Sequence, residues 1–161
     1  MATIHPTPRE VEVRQMLAML FGNELTITEA EELPVSVESK NAAALYVSDD
    51  GTPVTACVCD INFAAFAGSA LTKIPPGGAE DAASSGELTE NMMGNLNEVM
   101  NICSRLFMSG SSPHLRLDKM YASIAELPEN AKTMFDAVSG RLDLKVSIPG
   151  YGDGHLAFLA T

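Results

Sequence analysis

Residues 88–107 read LTENMMGNLNEVMNICSRLF, and this segment has the pattern of the longest helix in the chain. Its apolar residues recur at spacings of three and four, which is the pattern of an amphipathic helix with one buried stripe. We predict that this segment forms the longest helix of the protein and that its wide apolar face packs against a core. The stripe consists of Met92, Met93, Leu96, Val99, Met100, Cys103, Leu106 and Phe107.

The residues before this helix predict a first helix, two or three strands and a second helix. Thr7-Pro8-Arg9-Glu10 has the form of a capping box with Thr7 at the N-cap, and Gly22 is a typical helix stop. The predicted elements are a helix near 8–21, strands at 25–28, 42–47 and 54–59 with a hairpin turn at 49–51, and a small-residue helix at 61–74 capped by Asp60. Pro75-Pro76-Gly77-Gly78 is expected to end that helix, and residues 79–86 are expected to be a connector.

The residues after the long helix predict a return to strands. A Ser, Gly and Pro-rich segment at 109–113 breaks the helical pattern. The elements expected next are a strand at 115–122, a short helix opened by Pro128 and closed near Gly140, and two strands at 142–148 and 155–159. With hairpins at both ends and helices between them, the order predicts an α+β domain, a sandwich in which helices cover a mixed, largely antiparallel sheet.

Length, composition and charge indicate one domain, spanning 1–161, that binds neither nucleic acid nor membrane. The chain has 161 residues, of which 46% are apolar. Twenty-one acidic residues against ten basic ones leave a net charge of −11, which repels a phosphate backbone and an anionic lipid surface. The apolar runs are much shorter than the ~20 residues of a membrane span, and the N-terminus lacks the basic and apolar regions of a signal peptide.

The three cysteines are interpreted as buried apolar residues in a reducing compartment. Cys57 and Cys59 would point to one face of their strand, and Cys103 lies on the long helix. They and the histidines form no ligand spacing typical of a metal site. We therefore expect a cytoplasmic protein without a metal centre.

The long helix carries a polar face opposite its buried stripe. At 100° per residue, this face holds Asn91, Gly94, Glu98, Asn101 and Arg105. Glu98 and Asn101 are three residues apart and therefore lie side by side. Spacing alone is more typical of an ordinary solvated helix face than of a functional site, so it does not assign a function to these residues.

The run from Asn95 to Ser104 resembles the Glu-x-x-Asn helix of the CheC/CheX family of chemotaxis phosphatases. The order of the predicted elements is similar over residues 40–160, and the residue-level similarity is carried mainly by 87–107. Only one copy of the motif is found, since the short helix with Glu129-Asn130-Ala131-Lys132 lacks a second, and the chain therefore looks CheX-like.

The resemblance implies an activity and a partner. Members of the family hydrolyse the aspartyl phosphate of the response-regulator receiver CheY in two-component signalling. By this likeness, Asn101 would orient the attacking water and Glu98 would pair with the receiver's lysine. Since the receiver holds the phosphoryl group and its Mg²⁺, the chain would need no cofactor of its own. The family likeness also implies a homodimer formed through the sheet.

Arg105 departs from the family pattern, which usually has glycine or another small residue four positions past the motif asparagine. This arginine either helps to hold a phosphoryl-bearing partner or obstructs its close approach, and it is also compatible with an ordinary surface role. The alternative function is therefore a non-catalytic CheC/CheX-type module that docks signalling proteins or dimerises.

Overall fold

Short runs of small, β-branched and aromatic residues build a six-stranded sheet in the computed structural model, which describes residues 5–161. The strand order is β1-β5-β6-β3-β2-β4, and every pair of neighbours is antiparallel. The fold is α+β, as predicted, but the described sheet is entirely antiparallel and not mixed. The strands are β1 (Thr26–Glu29), β2 (Ala42–Val47), β3 (Pro53–Cys59), β4 (Arg116–Tyr121), β5 (Gly140–Ile148) and β6 (Gly152–Ala160).

Helices cover both faces of this sheet. The α-helices are α1 (Glu10–Phe21), α2 (Ile61–Ala70), α3 (Pro76–Ser85), α4 (Glu90–Cys103) and α5 (Glu129–Asp136), and short 3₁₀ turns lie at Val37–Ser39, Ser104–Phe107 and Ile124–Glu126. The first four helices contribute to a core on one face, and α5 packs with the turn Ile124–Glu126 on the other. The central strands are consequently buried on both sides.

Alternation along the central strands divides their side chains between these two cores. On β2, Ala44 and Tyr46 belong to the core under α4, whereas Ala43 and Leu45 belong to the core under α5. All six residues of β2 are buried, which explains why its sequence shows no alternation of polar and apolar residues. The long helix α4 is thus one part of an outer layer, with its apolar stripe on the sheet and its other side towards solvent.

The predicted connector at 79–86 is wrong, because this segment belongs to helix α3. Proline lacks a backbone N–H, and Pro76 therefore occupies the first turn of a helix without losing a hydrogen bond. Ala79 and Ala82 bury one side of α3, and Gly86 ends it with a φ of 79°. The preceding helix also ends earlier than expected, at Ala70.

The start of α1 and the end of α5 also differ from the prediction. The N-cap of α1 is Arg9 and not Thr7, and the carboxylate of Glu12 accepts a hydrogen bond from the Arg9 backbone N–H at 2.9 Å. Gly22 ends α1 as predicted, with a φ of 101°. Helix α5 ends at Asp136, and Gly140 begins β5 instead of closing the helix.

No helix between residues 5 and 161 is long and apolar enough to cross a membrane. Residues 1–4, which belong to the N-terminal segment expected to lack a signal peptide, lie outside the described part of the chain.

The three cysteines are buried on the α4 side of the sheet. Cys57 and Cys59 share one face of β3, as the strand spacing predicts, and Cys103 lies at the end of α4. Burial raises the pKa of the Cys103 thiol to about 12 and raises the pKa values of the other two thiols as well. The nearby Tyr46 hydroxyl is fully buried, and burial also raises its pKa.

These shifts predict a loss of stability at alkaline pH. The folded protein keeps its thiols protonated, whereas the unfolded chain releases those protons above about pH 8.5. The urea concentration at the unfolding midpoint should therefore not depend on these groups at pH 7. It should decrease as the pH is raised from about 8.5 to about 10. The Cys103→Ala variant should show a shallower fall over that range. A midpoint that stays constant up to about pH 10 would contradict the prediction.

Candidate functional site

Helix α4 is fixed in the fold by its apolar stripe and by its N-cap. The Thr89 hydroxyl accepts a hydrogen bond from the Met92 backbone N–H at 3.2 Å, which satisfies one of the open donors of the first turn. The predicted stripe is confirmed: Met92, Leu96, Val99, Met100, Cys103 and Phe107 are buried, and Met93 and Leu106 are half-buried at its margins. The side of α4 opposite this stripe is exposed to solvent.

A backbone contact with α2 determines where α4 lies. A Cβ atom added to Gly68 would sit 2.6 Å from the Met92 carbonyl oxygen, so the two helices approach each other as closely as glycine permits. The Asn95 side-chain amide donates hydrogen bonds to the Gly68 carbonyl at 2.8 Å and to the Thr72 hydroxyl at 2.7 Å. These contacts of Asn95 with Gly68 and Thr72 fix the rotation of α4 about its own axis.

The C-terminal end of α4 is anchored separately. The buried Tyr46 hydroxyl donates a hydrogen bond to the Met100 carbonyl at 2.6 Å, and the Ser104 hydroxyl donates one to the Asn101 carbonyl at 2.7 Å. Phe107 then packs its ring against Tyr46 with the ring centres 5.4 Å apart. The helix is therefore held to the sheet at the point where it becomes the 3₁₀ turn Ser104–Phe107.

The five residues assigned to the polar face by helical spacing are all exposed: Asn91, Gly94, Glu98, Asn101 and Arg105. In the described part of the chain, the side chains of Glu98, Asn101 and Arg105 make no hydrogen bond or ion pair with another residue. A carboxylate, an amide and a guanidinium thus follow one another along α4 and the 3₁₀ turn that continues it, without a hydrogen-bonding partner among the described residues. Their roles in binding or catalysis stay predictions.

Other polar clusters in the fold serve mainly to hold it together. Asp60 caps α2 by accepting from the Phe63 backbone N–H at 2.8 Å, and its second oxygen lies 3.0 Å from Nδ1 of His155 on β6. His155 is thus a strand residue, as the sequence pattern indicates. Within residues 5–161 no group of three or more His, Cys, Asp or Glu side chains is placed to hold a metal ion.

Two features beside α4 are not apparent from the sequence. Asn95 resembles its neighbouring asparagines in the sequence, and only the position of Gly68 reveals its hydrogen bonds. A groove of about 710 Å³ also flanks the N-terminal half of α4, and its apolar lining includes Ile61, Ala64, Leu88 and Met93. These residues come from separate segments, so no local pattern could have indicated the groove.

Comparison with known proteins identifies the fold of this chain. No protein-family model and no curated protein matches the sequence. A crystal structure of the FliM middle domain from H. pylori matches with a TM-score of 0.55 and 10% sequence identity, over 93% of this chain and 83% of that chain. That domain shares the CheC/CheX-like fold, and the fold of this chain is therefore of the same α+β type.

Replacing Gly68 on α2 and Gly94 on α4 with alanine should change the free energy of unfolding in opposite directions. Gly68→Ala places a methyl group against the Met92 backbone and should lower the free energy of unfolding by about 1–3 kcal/mol. A Cβ atom added to Gly94 would meet no neighbouring atom of the described residues within 4 Å, so Gly94→Ala should raise that free energy by about 0.5–1 kcal/mol. Urea unfolding of both variants measures this, and equal effects would refute the proposed close crossing.

Proposed function

We propose that the protein is a CheX-like phosphatase that accelerates hydrolysis of the aspartyl phosphate on a CheY-type receiver domain. The observation that carries this proposal is the exposed pair of Glu98 and Asn101, unpartnered within the described residues, on a helix anchored at both ends. The CheC/CheX-like fold supports it, since the motif helix and its neighbours follow the order that the family resemblance implies.

In this proposal Asn101 positions the attacking water. A carboxamide donates and accepts hydrogen bonds at once and brings no charge to an anionic phosphoryl group. Its backbone is held through the Ser104 hydroxyl and the adjacent Tyr46–Met100 hydrogen bond. Such rigidity matters because misplacing a reacting group by about 1 Å can cost about 100-fold in rate.

Glu98 would dock the lysine of the receiver. It lies three residues before Asn101, about 4.5 Å along the helix axis. From Ile74 to Ser104 the chain has no basic residue and five acidic ones, so this surface attracts a cation. Hydrolysis also needs Mg²⁺, which the receiver is proposed to supply together with the phosphoryl group.

The cellular setting is part of the same proposal. We infer a cytoplasmic protein in two-component signalling, with chemotaxis as the pathway that the fold favours. A homodimer through the sheet remains a prediction. Both faces of the sheet are covered by helices of the chain itself, so such a dimer would use an edge strand, β1 or β4.

Replacing Asn101 tests the catalytic role directly. With a chemically phosphorylated CheY-type receiver and Mg²⁺, Asn101→Ala should lower the protein-dependent rate of phosphate release by about 100-fold. Asn130→Ala is the matched control, since Asn130 is also exposed on a helix but lies on the opposite layer. The proposal fails if Asn101→Ala releases phosphate as fast as the wild-type protein.

Replacing Glu98 tests docking. Glu98→Gln keeps the shape of the side chain and removes its charge, so it should raise KM about 10-fold with a smaller change in kcat. The difference from wild type should shrink at high salt, because screening weakens the ion pair. An unchanged KM at low salt would exclude the proposed contact with lysine.

The alternative is a docking module without activity, and Arg105 is the observation that favours it. Its long side chain stands on the face where the family resemblance expects a small residue. Such a module would bind the receiver while leaving its rate of phosphate release unchanged, with wild-type protein and Asn101→Ala giving the same rate.

A further inference from the structure

Among the described residues, Arg105 has no partner for its guanidinium, whereas most arginines of this acidic chain have one. Arg9, Arg14 and Arg141 each form an ion pair with a carboxylate, at 3.4, 3.3 and 2.7 Å. Within residues 5–161, Arg105 in the 3₁₀ turn after α4 and Arg116 on β4 make no ion pair or hydrogen bond through their side chains. The five donors of Arg105 therefore have no acceptor within the described part of the chain.

The backbone that carries Arg105 is nevertheless well fixed. Residue 105 lies in the 3₁₀ turn Ser104–Phe107, between the Ser104 hydroxyl that bonds to Asn101 and the fully buried ring of Phe107. The turn therefore holds the Cα of Arg105 in a constant place relative to Asn101. The guanidinium extends from this base into solvent, one turn beyond the asparagine.

Charges follow a definite order along this face, and this order distinguishes Arg105 from Arg116. The anionic Glu98 comes first, the neutral Asn101 next and the cationic Arg105 last, all exposed. A partner that covers this surface favourably presents a cation to Glu98 and an anionic group to Asn101 and Arg105. If the proposed function holds, the cation is the receiver's lysine, and the phosphoryl group acted on by Asn101 lies within reach of the guanidinium.

We propose that Arg105 contacts the phosphoryl oxygens of the docked receiver and thereby makes this protein select the phosphorylated form. Guanidinium binds phosphoryl oxygens through two parallel hydrogen bonds, which a single ammonium group does not reproduce. Once phosphate has left, Arg105 has lost its anion and the receiver dissociates more readily. This role rests on the proposed function and adds to it a residue that determines substrate selectivity.

The test compares affinity for two states of one receiver. Receiver domains from the protein's own organism are titrated with Mg²⁺ alone and with Mg²⁺ plus beryllofluoride, a stable mimic of the phosphoryl group. Wild-type protein should bind the beryllofluoride form more tightly. Arg105→Gln should weaken binding to that form about 10-fold and leave binding to the Mg²⁺ form nearly unchanged, and Arg105→Lys should restore only part of the loss. Arg116→Gln, at the other exposed and unpaired arginine of the described residues, is the control and should change neither affinity.

Several results would overturn the inference. An equal loss with both receiver forms would mean that Arg105 contacts a carboxylate of the receiver. Unchanged or tighter binding by Arg105→Gln would mean that the side chain is idle or obstructs docking. If no receiver binds and Asn101→Ala does not alter phosphate release, the proposed function itself fails. If Asn101→Ala abolishes activity while Arg105→Gln keeps its selectivity, the proposed function stands and the role of Arg105 is refuted.

Discussion

The close crossing of α2 and α4 is the contact on which the candidate site depends. At Gly68 the backbone of one helix meets the backbone of the other, so no flexible side chain can absorb a displacement. The Asn95 amide adds two hydrogen bonds at the same crossing and fixes the rotation of α4. The direction in which Glu98 and Asn101 point is thus determined by a contact on another side of the helix that carries them.

The sheet provides the second constraint. Its central strands are buried on both faces, which requires small or apolar residues such as Ala44 and Cys57 where α4 packs. Tyr46 is the polar exception on this face of β2, and its hydroxyl is satisfied by the Met100 carbonyl. This use of a buried hydroxyl ties the outer helix to the sheet and avoids the cost of an unpaired polar group.

The contrast between the two sides of α4 is the main physical argument for a function. On the inner side, polar groups such as Asn95 have their partners within the chain. On the outer side, a carboxylate, an amide and a guanidinium are exposed without partners in the described part of the chain. Since the helix is rigid, these groups are presented in a fixed order, which favours recognition of one complementary partner over a general solvated surface.

Features that depend on local interactions could be predicted from the sequence, whereas the long-range contacts depend on packing. The α4 stripe and the exposed positions of Glu98 and Asn101 follow from the 100° rotation per residue, which neighbours along the helix establish by themselves. Arg105 is exposed as well, but it lies beyond the end of α4 in a 3₁₀ turn. Pro75-Pro76, in contrast, is compatible with both the end of one helix and the start of the next, and only the burial of Ala79 selects the second. Asn95 and Gly68 are 27 positions apart, and Tyr46 and Met100 are 54 apart, so neither hydrogen bond has a local signature.

The sequence therefore specified which side chains lie on the face of α4, because helical periodicity is a property of the backbone. The fold specified where that face points and how firmly it is held, because both depend on contacts between segments that meet only after the chain has folded.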